Sequence, residues 1–320
     1  MIQVSNSELR AFQWCLRHWW LAYYLGLATL PENERPVGEA KLGTRVHLAL
    51  EVWYGFGVDP LKALRKIYDL EREAHPAEFD VERLNKEQDL ALIMVEGYME
   101  WVAETGSDEG LQLISVEEDL IVPSGIPGVE FRAKLDQRVL RTFDNARMFI
   151  DHKTTGNFDN TTVMMAMDPQ MRFYALLDLL DAKRSGLQGP RVDGGIWNML
   201  RRSKRTDRAK PPFYKREEIR FNLDELRSTW IKANSVAGRL AQIRQELDKG
   251  PGAYDHRHLV PPNPSRDCSW KCQFVSICPM FDDGSNVGAA VRDQYIQHDP
   301  YSYYVDTAQP LIEKLKEISE

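Results

Sequence analysis

At Gly106 the hydrophobic period of the chain changes. Upstream, apolar residues recur about every 3.6 positions, the spacing of a helical face; downstream they alternate with the period of about 2 that marks a strand. Helical spacing returns later. That order of helices, a strand meander, then a helix and more strands predicts an α/β (α+β) fold on one mixed sheet.

The elements follow from pattern and punctuation. Ser5 and Glu8 stand in capping-box spacing ahead of Leu9, Phe12, Leu16, Trp19, Trp20, Tyr23 and Tyr24, which predicts an N-terminal helix with aromatics in its core face. Further helices are expected over 39–56, 60–73 and 86–105, and strands over 112–122, 129–140 and 146–153. In the second strand Val129, Phe131, Ala133 and Leu135 share one face, and Glu130, Arg132, Lys134 and Asp136 the other. Asp144-Asn145 suits a hairpin turn before the third strand. Asp168 and Pro169 open a helix running to about 182. Strands over 193–200 and 213–221, a helix over 223–248 ending at Gly250-Pro251, and a terminal helix over 309–318 complete the reading. The expected organisation is a helical part over 1–110 contributing Cys15 and His47, a core over 111–250, a cysteine region over 251–283 and a tail over 284–320.

The 320 residues, 43% hydrophobic and 28% charged, can fill a sizeable core, which excludes a disordered or collagen-like chain. With 41 Lys+Arg against 48 Asp+Glu the chain is not an indiscriminate polyanion binder, so any nucleic-acid site is local. One stretch qualifies, with Arg201, Arg202, Lys204, Arg205, Arg208 and Lys210 crowded together and Lys215 and Arg216 following; the plain alternative is a solvated loop. No apolar run is long enough to span a membrane, and the first residues lack the pattern of a signal peptide, so a cytoplasmic protein without membrane association is expected. A P-loop sequence is absent, and no ATP use is expected.

Asp151-His152-Lys153 ends the third strand, where residues two apart share a face, so a carboxylate and an ammonium point the same way. Across the predicted hairpin Asp136 could join them. Oxygen ligands for a hard cation beside a lysine make up what a hydrolytic Mg²⁺ or Mn²⁺ site needs, although such a triplet alone also fits a surface ion pair. His47 and Glu51 lie one helical turn apart, the first able to give a nitrogen ligand and the second to brace it; a packing histidine is the alternative. Gln170 and Tyr174 are also one turn apart, on the helix after the strand, and could contact a phosphate or base, or serve as a capping-region glutamine and a core tyrosine. Cys15, Cys268, Cys272 and Cys278 complete the inventory. In a reducing compartment clustered thiols point to metal before disulfide.

In this order His47, Asp136, Asp151-x-Lys153 and Gln170-x3-Tyr174 resemble the RecB-type branch of the PD-(D/E)XK nuclease superfamily, over about residues 5–281. The lone N-terminal cysteine with a C-terminal trio is similar to its iron-sulfur members: CRISPR-associated spacer-acquisition exonucleases, the AddB nuclease domain and stand-alone phage exonucleases. The resemblance implies a restriction-endonuclease-like core in which His47, Asp136, Asp151 and the His152 carbonyl hold Mg²⁺ or Mn²⁺. Lys153 then positions the attacking water, Gln170 and Tyr174 bind or orient the strand, and Glu51 stands behind the ligands. It further implies a 4Fe-4S cluster on Cys15, Cys268, Cys272 and Cys278. Three residues separate Cys268 from Cys272 where the common pattern has two, and Zn²⁺ on four thiolates is the competing assignment.

The function expected is a metal-dependent DNA exonuclease acting on single strands or free ends, in recombination, replication, repair or CRISPR-related processing, in a bacterial or phage-infected cytoplasm. A protein partner from those pathways is part of the expectation. The alternatives are a catalytically silent DNA-binding adaptor of the same fold and a zinc-stapled nucleic-acid-binding protein.

Overall fold

The computed structural model describes residues 1–30, 37–74, 81–165, 167–186, 192–250, 256–304 and 308–316. The chain opens with β1 (Ile2–Ser5), α1 (Asn6–Trp14), α2 (Leu16–Trp19), which runs on into a wider π-type turn over Trp20–Tyr24, and β2 (Leu27–Thr29). Then come α3 (Glu39–Phe56), α4 (Pro60–Ala74) and α5 (Val81–Thr105). Gly106, at φ +60°, stops α5 with a left-handed residue where the hydrophobic period changes. Beyond it run β3 (Leu111–Pro123), β4 (Val129–Arg141), β5 (Ala146–Thr155), α6 (Phe158–Met165), α7 (Pro169–Arg184), β6 (Val192–Arg201) and β7 (Tyr214–Arg220). The chain closes with α8 (Leu223–Asp248), α9 (His256–Leu259), α10 (Cys268–Lys271), α11 (Val287–Gln294), β8 (Tyr295–Gln297) and α12 (Ala308–Lys316). The mixed α/β architecture expected from the sequence is therefore present, and among the described residues no helix is long and apolar enough to cross a membrane.

Two compact units share the chain, and β3 and β4 run through both. The larger comprises Arg35–Leu120, Lys134–Leu226 and Asp306–Glu320. Its sheet is mixed: β5 lies antiparallel to β4 and parallel to β6, which is antiparallel to β7. Leu42, Val46 and Leu50 of α3, Leu64 and Tyr68 of α4, and Met94, Val95 and Tyr98 of α5 form one buried cluster with Leu200 and Tyr214 from the sheet. The last helix, α12, sets Ala308, Leu311 and Ile312 against Val52, Ala63 and Ile67. On α7, Asp178 is fully buried, with Arg138 Nη2 at 2.6 Å and Arg147 Nε at 3.0 Å, an ionic anchor between this helix, β4 and β5.

The smaller unit holds Met1–Glu34, Ile121–Ala133 and Arg227–Val305. Here β1 pairs in parallel with the start of β4, Ile2 against Val129 and Ser5 against Arg132, and β2 pairs antiparallel with β8. Three- and four-residue strands are too short to show alternation, so none of these was expected from sequence. The capping box is one-sided: Ser5 Oγ accepts from Glu8 N at 3.2 Å, but the Glu8 carboxylate turns inward to Trp19 Nε1 and Arg244 Nη2, both at 2.8 Å. The expected single N-terminal helix also breaks at Cys15, whose backbone is extended at φ −159°. The end expected at Gly250-Pro251, the start of the 251–283 region and the last residues of the 309–318 helix fall partly outside the described residues.

Candidate metal centre and active site

The β4–β5 hairpin builds the floor of the site. Its ladder pairs Gln137 with Ile150 and ends there, so the next position on each strand, Asp136 and Asp151, face one another where the backbones part. Asp136 Oδ2 takes the His152 backbone N–H at 2.7 Å, and His47 Nδ1 of α3 approaches the same oxygen at 3.3 Å. The His47 imidazole also bonds the His152 backbone. Thus α3, β4 and β5 converge on one point, as three of the sequence-named residues require.

Glu117 of β3 joins them and was not foreseen. Ligand atoms of His47, Glu117 and Asp136 all lie within 4.8 Å of one another, the one such His/Cys/Asp/Glu group among the described residues. Its placement depends on local backbone geometry. Lys134 and Arg138 share a face of β4, yet they pair with consecutive residues of β3, Glu117 at 2.9 Å and Glu118 at 2.7 Å. Alternation forbids neighbours on one face unless the strand is irregular, and the left-handed φ of +46° at Glu117 supplies the irregularity. The sequence signal was an acidic run, Glu117-Glu118-Asp119, inside a strand, without a cue to its facing.

The electrostatics suit a cation. Burial, then the charge of Asp136, pushes Glu117 up to about 7. Asp136 is raised too, by burial and then by Asp151. His47 is lowered, chiefly by burial, which favours the neutral imidazole that donates a lone pair. Crowded carboxylates with one neutral nitrogen and a deficit of positive charge are an oxygen-rich donor set suited to a hard divalent ion.

Asp151 stands beside this trio. Its carboxylate is buried, and Oδ2 lies 2.6 Å from Lys153 Nζ in an ion pair. Burial opposes the lysine's charge, but Asp151, and behind it Asp136 and Asp168, hold its pKa above the ordinary ammonium value. Gln170, capped at the start of α7 by Asp168 Oδ1, clamps the pair: Oε1 accepts from Lys153 Nζ at 3.3 Å, while Nε2 donates to Asp151 Oδ1 at 3.4 Å and to Tyr174 Oη at 2.7 Å. The Gln-x3-Tyr spacing thus braces Asp151 and Lys153. Glu51 is buried one turn after His47, and its charge acts on Lys134.

The His152 ring is on the opposite face of β5. Asn198 Nδ2 lies 2.7 Å from its Nδ1, Tyr54 stacks on it, and Arg216 holds Asn198 Oδ1, Tyr98 Oη and Asp108 in a buried network. The backbone of His152 faces the site, and its ring meets the His47 ring edge-on at 5.9 Å between centres. Arg216 is consumed by that network and does not belong with the outward cations of the basic stretch. Within that stretch Arg202 pairs with Glu39 at 2.6 Å, Arg201 Nη1 bonds the Lys210 carbonyl, and Arg205 lies over Phe213; Lys204, Arg205, Arg208 and Lys210 are exposed.

In the smaller unit Cys15, Cys268, Cys272 and Cys278 line one cavity of about 180 Å³ together with Trp14, His18 and Leu21. All four are free thiols. The helix break at Cys15 leaves its Sγ accepting from Asn263 N at 3.3 Å, and Cys268 Sγ accepts from Ser265 N at 3.4 Å. Beneath them Arg17, almost fully buried, grips Asp282 at 2.6 and 3.1 Å and the Cys278 carbonyl at 3.1 Å. No three of the sulfurs come within 4.8 Å of one another.

Comparison with known proteins gives the family. No curated protein matches the chain. Among solved structures it is similar to a candidate exonuclease from Eubacterium rectale, with TM-score 0.47 and 10% identity over 76% of this chain and 82% of that one. SSO0001 gives TM-score 0.31 and 17% identity over 65% and 80%, and LHK-Exo in complex with dAMP gives 0.30 and 13% over 66% and 97%. A sequence profile of the PD-(D/E)XK nuclease superfamily matches residues 3–279, through every element that carries the site, and the chain belongs to that superfamily.

Proposed function

We propose that the protein is a divalent-metal-dependent DNA exonuclease, preferring single strands or free ends, with its chemistry at the His47, Glu117, Asp136, Asp151 and Lys153 group. The observation that carries the reading is the convergence of three carboxylates, an imidazole and one clamped lysine on the open end of a hairpin. His47, Glu117 and Asp136, with Asp151 and the His152 carbonyl, would hold Mg²⁺ or Mn²⁺. Bound there, the ion supplies a Lewis acid for a phosphoryl oxygen and acidifies water. Lys153 has the position and the charge to orient a water and to offset negative charge developing at phosphorus. Gln170 fixes that ammonium, and Tyr174 fixes Gln170. Lys204, Arg208 and Lys210 would meet the DNA backbone.

The four cysteines would hold a 4Fe-4S cluster. A single zinc at Zn–S distances of about 2.3 Å needs sulfurs about 3.8 Å apart, and no three of these sulfurs come within 4.8 Å of one another. Its role here is structural.

The test is nucleotide release from end-labelled single-stranded DNA by anaerobically purified protein with Mg²⁺ or Mn²⁺. Lys153→Ala is expected to lower the rate about 100- to 1,000-fold with unchanged circular dichroism. Wild type that binds DNA and cuts none with either metal would overturn the reading.

A further inference from the structure

The C-terminal part of α5 and the β6–β7 connection enclose a half-open cavity of about 310 Å³ that the catalytic reading does not use. On α5 the lining residues Gly97, Glu100, Trp101 and Glu104 follow the i, i+3, i+4, i+7 spacing of one helical stripe. The opposite wall is Arg205, the Pro211-Pro212 pair, Phe213 and Tyr214.

Arg205 is seated with care. Tyr214 Oη donates to the Met94 carbonyl at 2.8 Å, which leaves it to accept from Arg205 Nη2 at 2.7 Å. The guanidinium lies over Phe213, 4.6 Å from the ring centre. It lies against Gly97, where a Cβ would fall 1.8 Å from Nη2 and 2.7 Å from Tyr214 Oη, so a larger residue there would displace the guanidinium from this seat. Among the described residues this cation has no ion pair, so its remaining N–H groups are offered to the cavity.

The cavity therefore combines aromatic surface, one fixed donor group and two acceptor carboxylates. Its charge balance of two glutamates to one arginine disfavours a phosphate inside, and the fixed guanidinium disfavours a cation. A flat group with a donor edge and an acceptor edge satisfies both signs. Nucleobases other than thymine present that combination, with an exocyclic amino group for a carboxylate and ring or carbonyl acceptors for an arginine. Resting on the nucleic-acid reading above, we infer that this cavity is a nucleobase subsite taking one unstacked base of a single strand. It selects a base with an exocyclic amino group, so cytosine over thymine.

The two pyrimidines are similar in size and differ at position 4, amino against carbonyl, at N3 and in the 5-methyl of thymine, so the base comparison is read together with removal of the carboxylate charges. Fluorescence anisotropy with end-labelled oligo-dC and oligo-dT, without added divalent metal and at mildly alkaline pH, reads it directly. Full-length wild type is expected to hold oligo-dC about tenfold tighter than oligo-dT, which is ~1.4 kcal/mol. The isosteric pair Glu100→Gln and Glu104→Gln should bring the ratio to about one while oligo-dT binding persists. Trp101→Leu should weaken both oligonucleotides. A wild-type ratio of one, or a preference that survives the double substitution, would overturn the subsite. If wild type cuts single strands yet shows no base preference, the subsite fails and the nuclease reading stands; if it neither binds nor cuts DNA, both fail.

Discussion

Burial, with the charge of Asp136 beside Glu117 and that of Asp151 beside Asp136, makes both Glu117 and Asp136 harder to ionise, so both keep protons to higher pH than an exposed carboxylate. Their folded-state pKa values are raised, and the native state then holds more protons than the unfolded chain from about pH 4 to about pH 7. Stability of the metal-free protein accordingly falls as pH rises through that window, and the penalty is complete above it. Metal binding must release those protons. Calorimetric titration with Mn²⁺ at about pH 6 and pH 8 should show tighter binding at the higher pH, with proton uptake by buffer. Glu117→Gln should weaken Mn²⁺ about 10- to 100-fold and flatten the pH dependence, and an unchanged affinity would place the ion elsewhere. Asp136, Asp151, Lys153, His47 and Gln170 could be read from the sequence because strand alternation and one-turn spacing fix which side chains share a face. Glu117 could not, because its facing hangs on one left-handed residue inside a strand.

Among elements, α7 matters most to the site, since it carries the Gln170 clamp, and its seat is ionic. Asp178 lies between Arg138 of β4 and Arg147 of β5, with all three side chains at most 5% exposed. Removing that carboxylate leaves the buried Arg147 guanidinium without its ion pair and Arg138 with Glu118 and the more distant Asp181. Asp178→Asn is therefore expected to destabilise the protein by about 3–5 kcal/mol, read as a lower urea midpoint. A shift under about 1 kcal/mol would mean that solvent reaches the pair. Long elements such as α3, α4, α5, α8 and β3 to β5 were legible because each spans enough residues to show its period and its caps. The short strands β1, β2 and β8 and the break at Cys15 were not, because their conformation is decided by pairing and by sulfur placement remote in sequence.

At the scale of the molecule, the cysteines join the start of the chain to residues beyond 260. Spacing alone marked the C-terminal trio of cysteines as a cluster, and only the family resemblance added Cys15; the cavity the four share was not legible, since it needs α2, the 260–265 loop and α10 folded together. A bound group there closes a loop of nearly the whole chain, and a cross-link of such span is worth about 5 kcal/mol by the loop-closure argument. Cys15→Ser removes the one ligand from the N-terminal side and so opens that loop while leaving the C-terminal trio intact. The anaerobic wild type should carry about four iron per chain; the variant should lose iron and visible absorbance, and limited proteolysis should begin within 1–34 or 227–305. One zinc per chain and no iron in the wild type would replace the cluster with a mononuclear site. That outcome would require the thiols to close in from their present spacing, because no three of them now stand near enough to share one ion.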